Sequence, residues 1–286
     1  MRKLLLILLC VPLLFSCGEN EENEDTENNE EFQIIDKELQ TYVPDDNFEQ
    51  ELIDLGYDNI LDNYVTTDSI YSIDSLRLFD KNISDLTGIE DFILLTKLNC
   101  SYNPITDLNI SKNINLTELV VMACPKLKSL DISKNISLTE LHCLYNSLTN
   151  LDVSNNINLN ILHCYGNQLT SLDVSNNTDL TSLACRDNQL TRLDVRNGNN
   201  MQMEFHCKNN LSLYCIDVDN AAWSTAYWTN LPSLEGGSID IQSVFSEDCG
   251  AKQSDECVES YEESMELFPP DQCGICDYEC KCDDKQ

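Results

Sequence analysis

The chain contains three histidines, and all three fall at one position of an internal sequence repeat: His142, His163 and His206. An imidazole titrates near neutrality and can hold a transition metal or move a proton. Two of them on neighbouring strands would stand about 5 Å apart, within reach of one ion. His142 precedes Cys143 and His163 precedes Cys164, which raises the question of an imidazole-activated thiol. Consecutive residues of a strand point to opposite faces, so those thiols lie out of reach of the imidazoles beside them. No matching third ligand accompanies the histidines. The sequence shows no GxSxG, HExxH, phosphate loop or paired carboxylates in a supporting context, so no catalytic residue, metal ligand or cofactor is assigned.

The fifteen cysteines sort into groups with different chemistry. Cys10 and Cys17 belong to the N-terminus. Cys100, Cys143, Cys164, Cys185 and Cys207 recur at a core position, where a thiol acts as a small hydrophobe. Cys124, in an irregular unit with Pro125, is expected to behave in the same way. Cys215 and Cys249 bracket a segment rich in bulky residues and are the best disulfide pair, given an oxidising compartment. Cys257, Cys273, Cys276, Cys280 and Cys282 lie in an acidic tail. Their CxxCxxxCxC spacing fits a tetrathiolate zinc site or a set of disulfides, the odd count leaving one thiol over.

The elements that position these residues follow from the repeat. The segments LTKLNCSYNPITDLNISKNIN, LTELVVMACPKLKSLDISKNIS, LTELHCLYNSLTNLDVSNNIN, LNILHCYGNQLTSLDVSNNTD and LTSLACRDNQLTRLDVRNGNN succeed one another with a period of 21 or 22 residues. Leu98, Leu119, Leu141, Leu162 and Leu183, and the residues two positions on, point inward along a strand. Asn103, Asn146, Asn167 and Asn188 are placed to bond the backbone of the adjacent coil. A second strand-like piece recurs at Leu130–Ile132, Leu151–Val153, Leu172–Val174 and Leu193–Val195, with Asp131, Asp152, Asp173 and Asp194 as an outward acidic row. A solvated face suits that row better than a calcium site, which needs an enclosing loop.

The pattern LxxLxCxxNxLxxLDVSxN resembles that of the bacterial leucine-rich repeat proteins, from a degenerate first unit at Leu76, Leu78, Ile83, Leu86, Ile89 and Phe92 to Val218. The resemblance implies an α/β repeat or mainly β solenoid, a curved array over residues 75–218 in which stacking buries what no single unit can bury alone. A helical N-terminal cap is expected over residues 32–74, with Phe48, Leu52 and Leu55 on one helix face and Gly56 as the stop. A C-terminal cap carrying Trp223, Trp228 and Phe245 is expected over residues 219–249, followed by the acidic Cys-rich tail at 250–286.

The first sixteen residues combine a basic start with an apolar run of signal-peptide length. Leu14-Phe15-Ser16-Cys17 resembles a bacterial lipobox, which implies lipidation of Cys17 and an outer-membrane lipoprotein of the cell envelope. The alternative is a plain secretory signal. Residues 17–31 hold eight acids and no base, a solvated tether. This stretch resembles the surface-export signal of Bacteroidetes lipoproteins, which implies exposure at the cell surface. With 50 acidic against 17 basic residues and a net charge of -33, the chain lacks the clustered cations that nucleic-acid binding requires.

Between the inward positions, the strand residues are expected to face solvent on a concave strip. One row reads Asn99, Val120, His142, His163, Ala184 and His206, and the next Ser101, Met122, Leu144, Tyr165, Arg186 and Lys208. A third, beyond the strand, reads Tyr102, Ala123, Tyr145, Gly166 and Asp187. Aromatic, Met and Arg side chains grouped in this way are typical of interface anchors. Val120, Met122, His142, Leu144, Tyr145, His163, Tyr165, Arg186 and His206 are therefore the candidate residues for binding a protein or glycan. A metal-binding or hydrolytic role for the His row or the Cys-rich tail is the alternative.

Overall fold

A computed structural model describes residues 40–228 and 238–250. The signal region, Cys17, the tether and the Cys-rich tail lie outside the described residues. The chain divides into two compact units, Met1–Gln40 and Thr41–Gln286, and the described residues other than Gln40 lie in the second. This second unit is a parallel-strand β-solenoid built on the leucine-rich repeat pattern. Its main sheet has seven strands: Ser75–Arg77, Lys97–Asn99, Glu118–Val120, Glu140–His142, Ile161–His163, Ser182–Ala184 and Glu204–His206. Each pairs in parallel with the equivalent strand of the next coil, so Leu76, Leu98, Leu119, Leu141, Leu162, Leu183 and Phe205 form one register. All seven are buried, and Cys100, Val121, Cys143, Cys164, Cys185 and Cys207 are buried two positions on. Among the described residues the coils carry no α-helix beyond short 3-10 turns at Ile89–Asp91 and Asn200–Gln202. The architecture is thus the mainly β form of the two expected.

Parallel stacking leaves the corners of each coil with backbone groups that the strands cannot pair. Three side-chain ladders serve them. Asn146 Nδ2 donates to the Val121 carbonyl of the preceding coil and to Cys143 of its own, while its Oδ1 accepts from Cys124 N. Asn103, Asn167, Asn188 and Asn210 do the same in their coils. The second ladder, Asn113, Asn135, Asn156 and Asn177, occupies the opposite corner, each Nδ2 bridging two carbonyls of the coil before it. In the third, the hydroxyls of Thr96, Thr117 and Thr139 donate to the preceding coil at Asp74, Thr96 and Thr117. The Asn bonds are buried, where a polar group left unpaired costs about 1–3 kcal/mol, whereas the Thr hydroxyls add a further donor to carbonyls that already accept two backbone amides.

Cys124 is a buried free thiol like the others, but at a different position of its coil. It stands at the Asn position of the first ladder, where Asn103 and Asn146 flank it, and not on the core register. Its thiol is directed at the Cys100 and Met122 carbonyls, 3.6 and 3.5 Å away, as a weak donor in place of an amide.

The second strand-like piece is regular only late in the array. Ser171–Asp173, Arg192–Asp194, Cys215–Asp217 and Val244–Ser246 form a four-stranded sheet, whereas Leu130–Ile132 and Leu151–Val153 make no ladder bonds. Inward–outward alternation persists there all the same, with Leu130, Ile132, Leu151 and Val153 buried. The acidic row is not a stack of bare charges. Asp131, Asp152 and Asp173 each accept the amide of the Ser two residues on, and Asp194 accepts from Arg196. These bonds hold Asp131 and Asp152 below the usual carboxylate range.

At the N-terminal end the helix Asp46–Asp54 is capped by Asp45, whose Oδ1 accepts from Asn47 and Phe48 amides. Its Oδ2 accepts the Ser84 amide, the Ser84 hydroxyl and the Asp85 amide, so one carboxylate ties the cap to the first coil. Phe48 is stacked on Phe92 and Leu52 is buried as well, but Leu55 is 44% exposed. The helix ends at Asp54, and Leu55 has already turned outward before Gly56 adopts φ +83°. At the other end the helix Ala221–Trp228 seats Trp228 against Phe205 and Phe245, and Cys215 is joined to Cys249 with Cα atoms 5.8 Å apart.

Two outcomes test this packing. Leu151→Asp places an unpaired carboxylate between the coils and is expected to cost several kcal/mol, whereas the exposed Ser154→Asp shifts stability by no more than about 0.5–1 kcal/mol. Equal thermal unfolding of the two variants would refute the register. For Asp45, burial raises the pKa but the bonds from Ser84, Phe48 and Asp85 outweigh it, and the net shift is downward. A depressed carboxylate contributes stability that is present above its unfolded value, near 3.8, and is lost as pH falls through the lower folded value. Asp45→Asn is expected to cost about 1–3 kcal/mol at pH 7 and to flatten the decline in stability below pH 4, as read by urea unfolding at a series of pH values.

Candidate binding face

The face of the seven-stranded sheet opposite the core carries the candidate residues, and the strand register sets their order. Asn99, Val120, His142, His163, Ala184 and His206 are directly paired from strand to strand. Exposure is less even than alternation predicts. Val120, Met122, His142, His163, Tyr165, Arg186 and His206 are half-buried, Tyr145 and Tyr102 are about half exposed, and Ser101 and Ala184 are buried. Leu144, a candidate contact residue, is only 6% exposed. It lies two residues past the strand Glu140–His142 and offers little surface of its own.

The third row owes its exposure to backbone conformation. Tyr102, Ala123, Tyr145, Gly166, Asp187 and Asn209 all have φ between +52° and +69°, one left-handed residue per coil. That turn swings each side chain off the strand line. At Gly166 the absence of a side chain has a second use: a Cβ there would stand 2.5 Å from the Tyr145 ring. The missing Cβ lets Tyr145 lie over the neighbouring coil and meet Tyr165 edge-on at 5.1 Å. Arg186 then places its guanidinium 4.0 Å over the Tyr165 ring and pairs with Asp187, which also accepts from Asn209. Burial works against the Arg186 charge, but a hydrogen bond with Tyr145 and the pull of Asp187 outweigh it, and its pKa is raised. Two tyrosines and an arginine from three successive coils thus form one preorganised patch.

The histidines also come together. His142 and His163 meet with ring centroids 4.9 Å apart and Nδ1 atoms 3.2 Å apart. His163 Nε2 lies 3.1 Å from Ser182 Oγ, and His142 Nε2 lies 3.7 Å from the Glu140 carboxylate. Burial, with the neighbouring His142, pulls the His163 pKa down, against an upward pull from Glu204. His206 is separate from the pair and bonds Glu204 at 3.1 Å. No group of three or more His, Cys, Asp or Glu suited to a metal occurs among the described residues. The thiols beside the imidazoles are sealed in the core, and burial alone pushes Cys143 up to about 12. A thiol of that kind is neutral at pH 7 and is not a nucleophile. Among the described residues no helix is long and apolar enough to cross a membrane.

The patch of Tyr145, Tyr165 and Arg186 was legible from residue types and repeat register. The contribution of Gly166 was not, because its role lies in the space it leaves for a residue 21 positions earlier. Ser182 was also missed; its only sequence signal is its place one strand on from His163, diagonal to the pair.

No family model matches the chain. Internalin J of Listeria monocytogenes is 43% identical over 72 residues, which are 25% of this chain and 8% of that protein. Three solved Listeria monocytogenes structures share lower identity. They are the functional domain of InlJ, which includes a cysteine ladder (23% identity, 63% of this chain and 61% of that chain, TM-score 0.33), the internalin InlF (19%, 72% and 72%, 0.45) and internalin C2 (18%, 62% and 94%, 0.43). The repeats, register and ladders described above identify the chain by themselves as a leucine-rich repeat solenoid, similar over 72 residues to internalin J.

Proposed function

We propose that this chain is a lipid-anchored cell-envelope protein, held at the outer membrane and exposed at the cell surface, that binds a protein or glycan through the face of its seven-stranded sheet. The observation that carries the reading is the Tyr145–Tyr165–Arg186 patch, in which aromatic rings and a guanidinium are fixed by one another before any partner arrives. Anchors ordered in advance lose little entropy on binding, and such side chains dominate interface energetics. Met122, Val120 and the histidines extend the patch along the array on rigid strands. The similarity to internalin J supports a recognition role over an enzymatic one, and the sealed thiols remove the most direct catalytic alternative. The acidic Asp row lies on another side of the coils, Asp173 and Asp194 on the four-stranded sheet, with its carboxylates already bonded, and serves as a solvated face. Lipidation of Cys17 and the acidic tether that follows it would hold this face away from the membrane.

The combined variant His163→Ala, Tyr165→Ala, Arg186→Ala is expected to abolish capture of envelope or surface partners, losing about 2 kcal/mol or more per anchor, while thermal unfolding changes little. Asp152→Asn, Asp173→Asn and Asp194→Asn together are expected to leave capture intact. The reverse pattern would move the recognition surface to the acidic row. The anchor is tested separately: Cys17→Ala is expected to release the protein from the membrane fraction, and unchanged detergent-dependent partitioning would refute lipidation.

A further inference from the structure

We infer that His142 and His163 form a two-ligand site for a divalent d-block cation such as zinc, bound through both Nδ1 atoms on the exposed sheet face. The site follows from four observations and does not depend on the identity of any macromolecular partner. Zn–N bonds of about 2.0–2.1 Å opening at a tetrahedral angle hold two nitrogens about 3.3 Å apart, and the two Nδ1 atoms stand at 3.2 Å. At 4.9 Å the ring centroids are closer than a collinear approach through those nitrogens would leave them. At least one ring axis is therefore off the N···N line, which is a condition for both lone pairs to meet at one ion.

Both outer nitrogens face oxygen acceptors, Ser182 Oγ for His163 and the Glu140 carboxylate for His142. An acceptor at Nε2 favours the Nε2–H tautomer and leaves Nδ1 free to ligate, the usual arrangement behind a metal-bound histidine. Ser182 makes the exchange possible without strain, since a hydroxyl both donates and accepts. Without metal, His163 Nδ1–H donates to His142 Nδ1 and the Ser182 hydroxyl donates to His163 Nε2. On binding, the His163 proton moves from Nδ1 to Nε2, the hydroxyl turns to accept it, and both imidazoles remain neutral, so no net proton is released.

Carboxylates flank the row: Glu140 lies 3.7 Å from His142 Nε2 and Glu204 lies 3.1 Å from His206 Nε2, within a chain of formal charge -33. The flanking residues of the row, Val120 and Ala184, offer no further donor, so water completes the coordination shell and affinity is moderate. Neutral imidazole suits zinc, copper and nickel and not calcium or magnesium.

The test is a titration of the full chain with zinc, read at the imidazole nitrogens by long-range proton–nitrogen correlation NMR. With three histidines in the chain, each ring is resolved, and the readout is independent of zinc taken up elsewhere. The expected result is a concerted, saturable shift of the His142 and His163 Nδ1 resonances, both rings in the Nε2–H tautomer and His206 unmoved. Magnesium is expected to produce no shift. His163→Gln is expected to abolish the response at His142, and Ser182→Ala to weaken it about tenfold, with circular dichroism confirming the fold. No Nδ1 response in the wild-type chain, or an equal response at His206, would overturn the site, as would retention of the His142 response in His163→Gln.

Discussion

The structure depends on one constraint: a parallel coil can stack on its neighbour only if the backbone groups at its corners are satisfied across the interface. Strands of three residues do this along the faces, but the corners have no ladder of their own. The Asn side chain is the solution because its amide offers donors and an acceptor from one planar group. Asn146 and Asn167 each bond carbonyls in two coils and accept an amide from the preceding one. A carboxylate or an aliphatic side chain at that point supplies only half of this or none. Any loss of register between coils would break these bonds in every unit at once, so the ladders specify the fold as well as stabilise it.

The apolar interior works within that frame. Leu at the strand register and Cys two positions on give each layer a large and a small side chain, and repetition of the pair lets successive layers nest. Thiols enclosed in this way are chemically quiet because burial disfavours the thiolate, in keeping with six free cysteines among the described residues. Among the described residues the disulfide Cys215–Cys249 lies where the array gives way to its terminal helix. Cys215 opens the strand Cys215–Asp217, and Cys249 follows Val244–Ser246, the strand paired with it at the end of that sheet. The equivalent seal at the N-terminal end is Asp45, which joins helix and first coil through five hydrogen bonds to one carboxylate.

A rigid core of this kind leaves the outward positions of the sheet free to vary, since their side chains do not enter the stacking. The chain uses that freedom unevenly. His142 and His163 are paired on one row, while Tyr145, Tyr165 and Arg186 lean together on the neighbouring rows. The two groups are adjacent because Tyr165 follows His163 by two residues on the same coil, so a cation at the first and a partner at the second would share the same surface.

The period, the inward Leu and Cys positions, the first Asn ladder and the order of residues along each outward row were legible in the amino-acid sequence. Each depends only on alternation along a strand and on identity between repeats. The tertiary structure decided what depends on neighbours from other coils. It left Leu144 nearly covered and Leu55 outside, because coverage at a corner or a helix end depends on which residues come near and not on period. It gave Cys124 an Asn position, since irregular units are aligned by stacking and not by spacing. It revealed the second ladder of Asn113, Asn135, Asn156 and Asn177, residues that read as loop polarity until their amides are seen to point into the preceding coil. It also set the Nδ1 atoms of His142 and His163 face to face, because adjacency of two strands limits how close two rings can be, whereas ring rotation, fixed here by Ser182 and Glu140, decides which atoms meet.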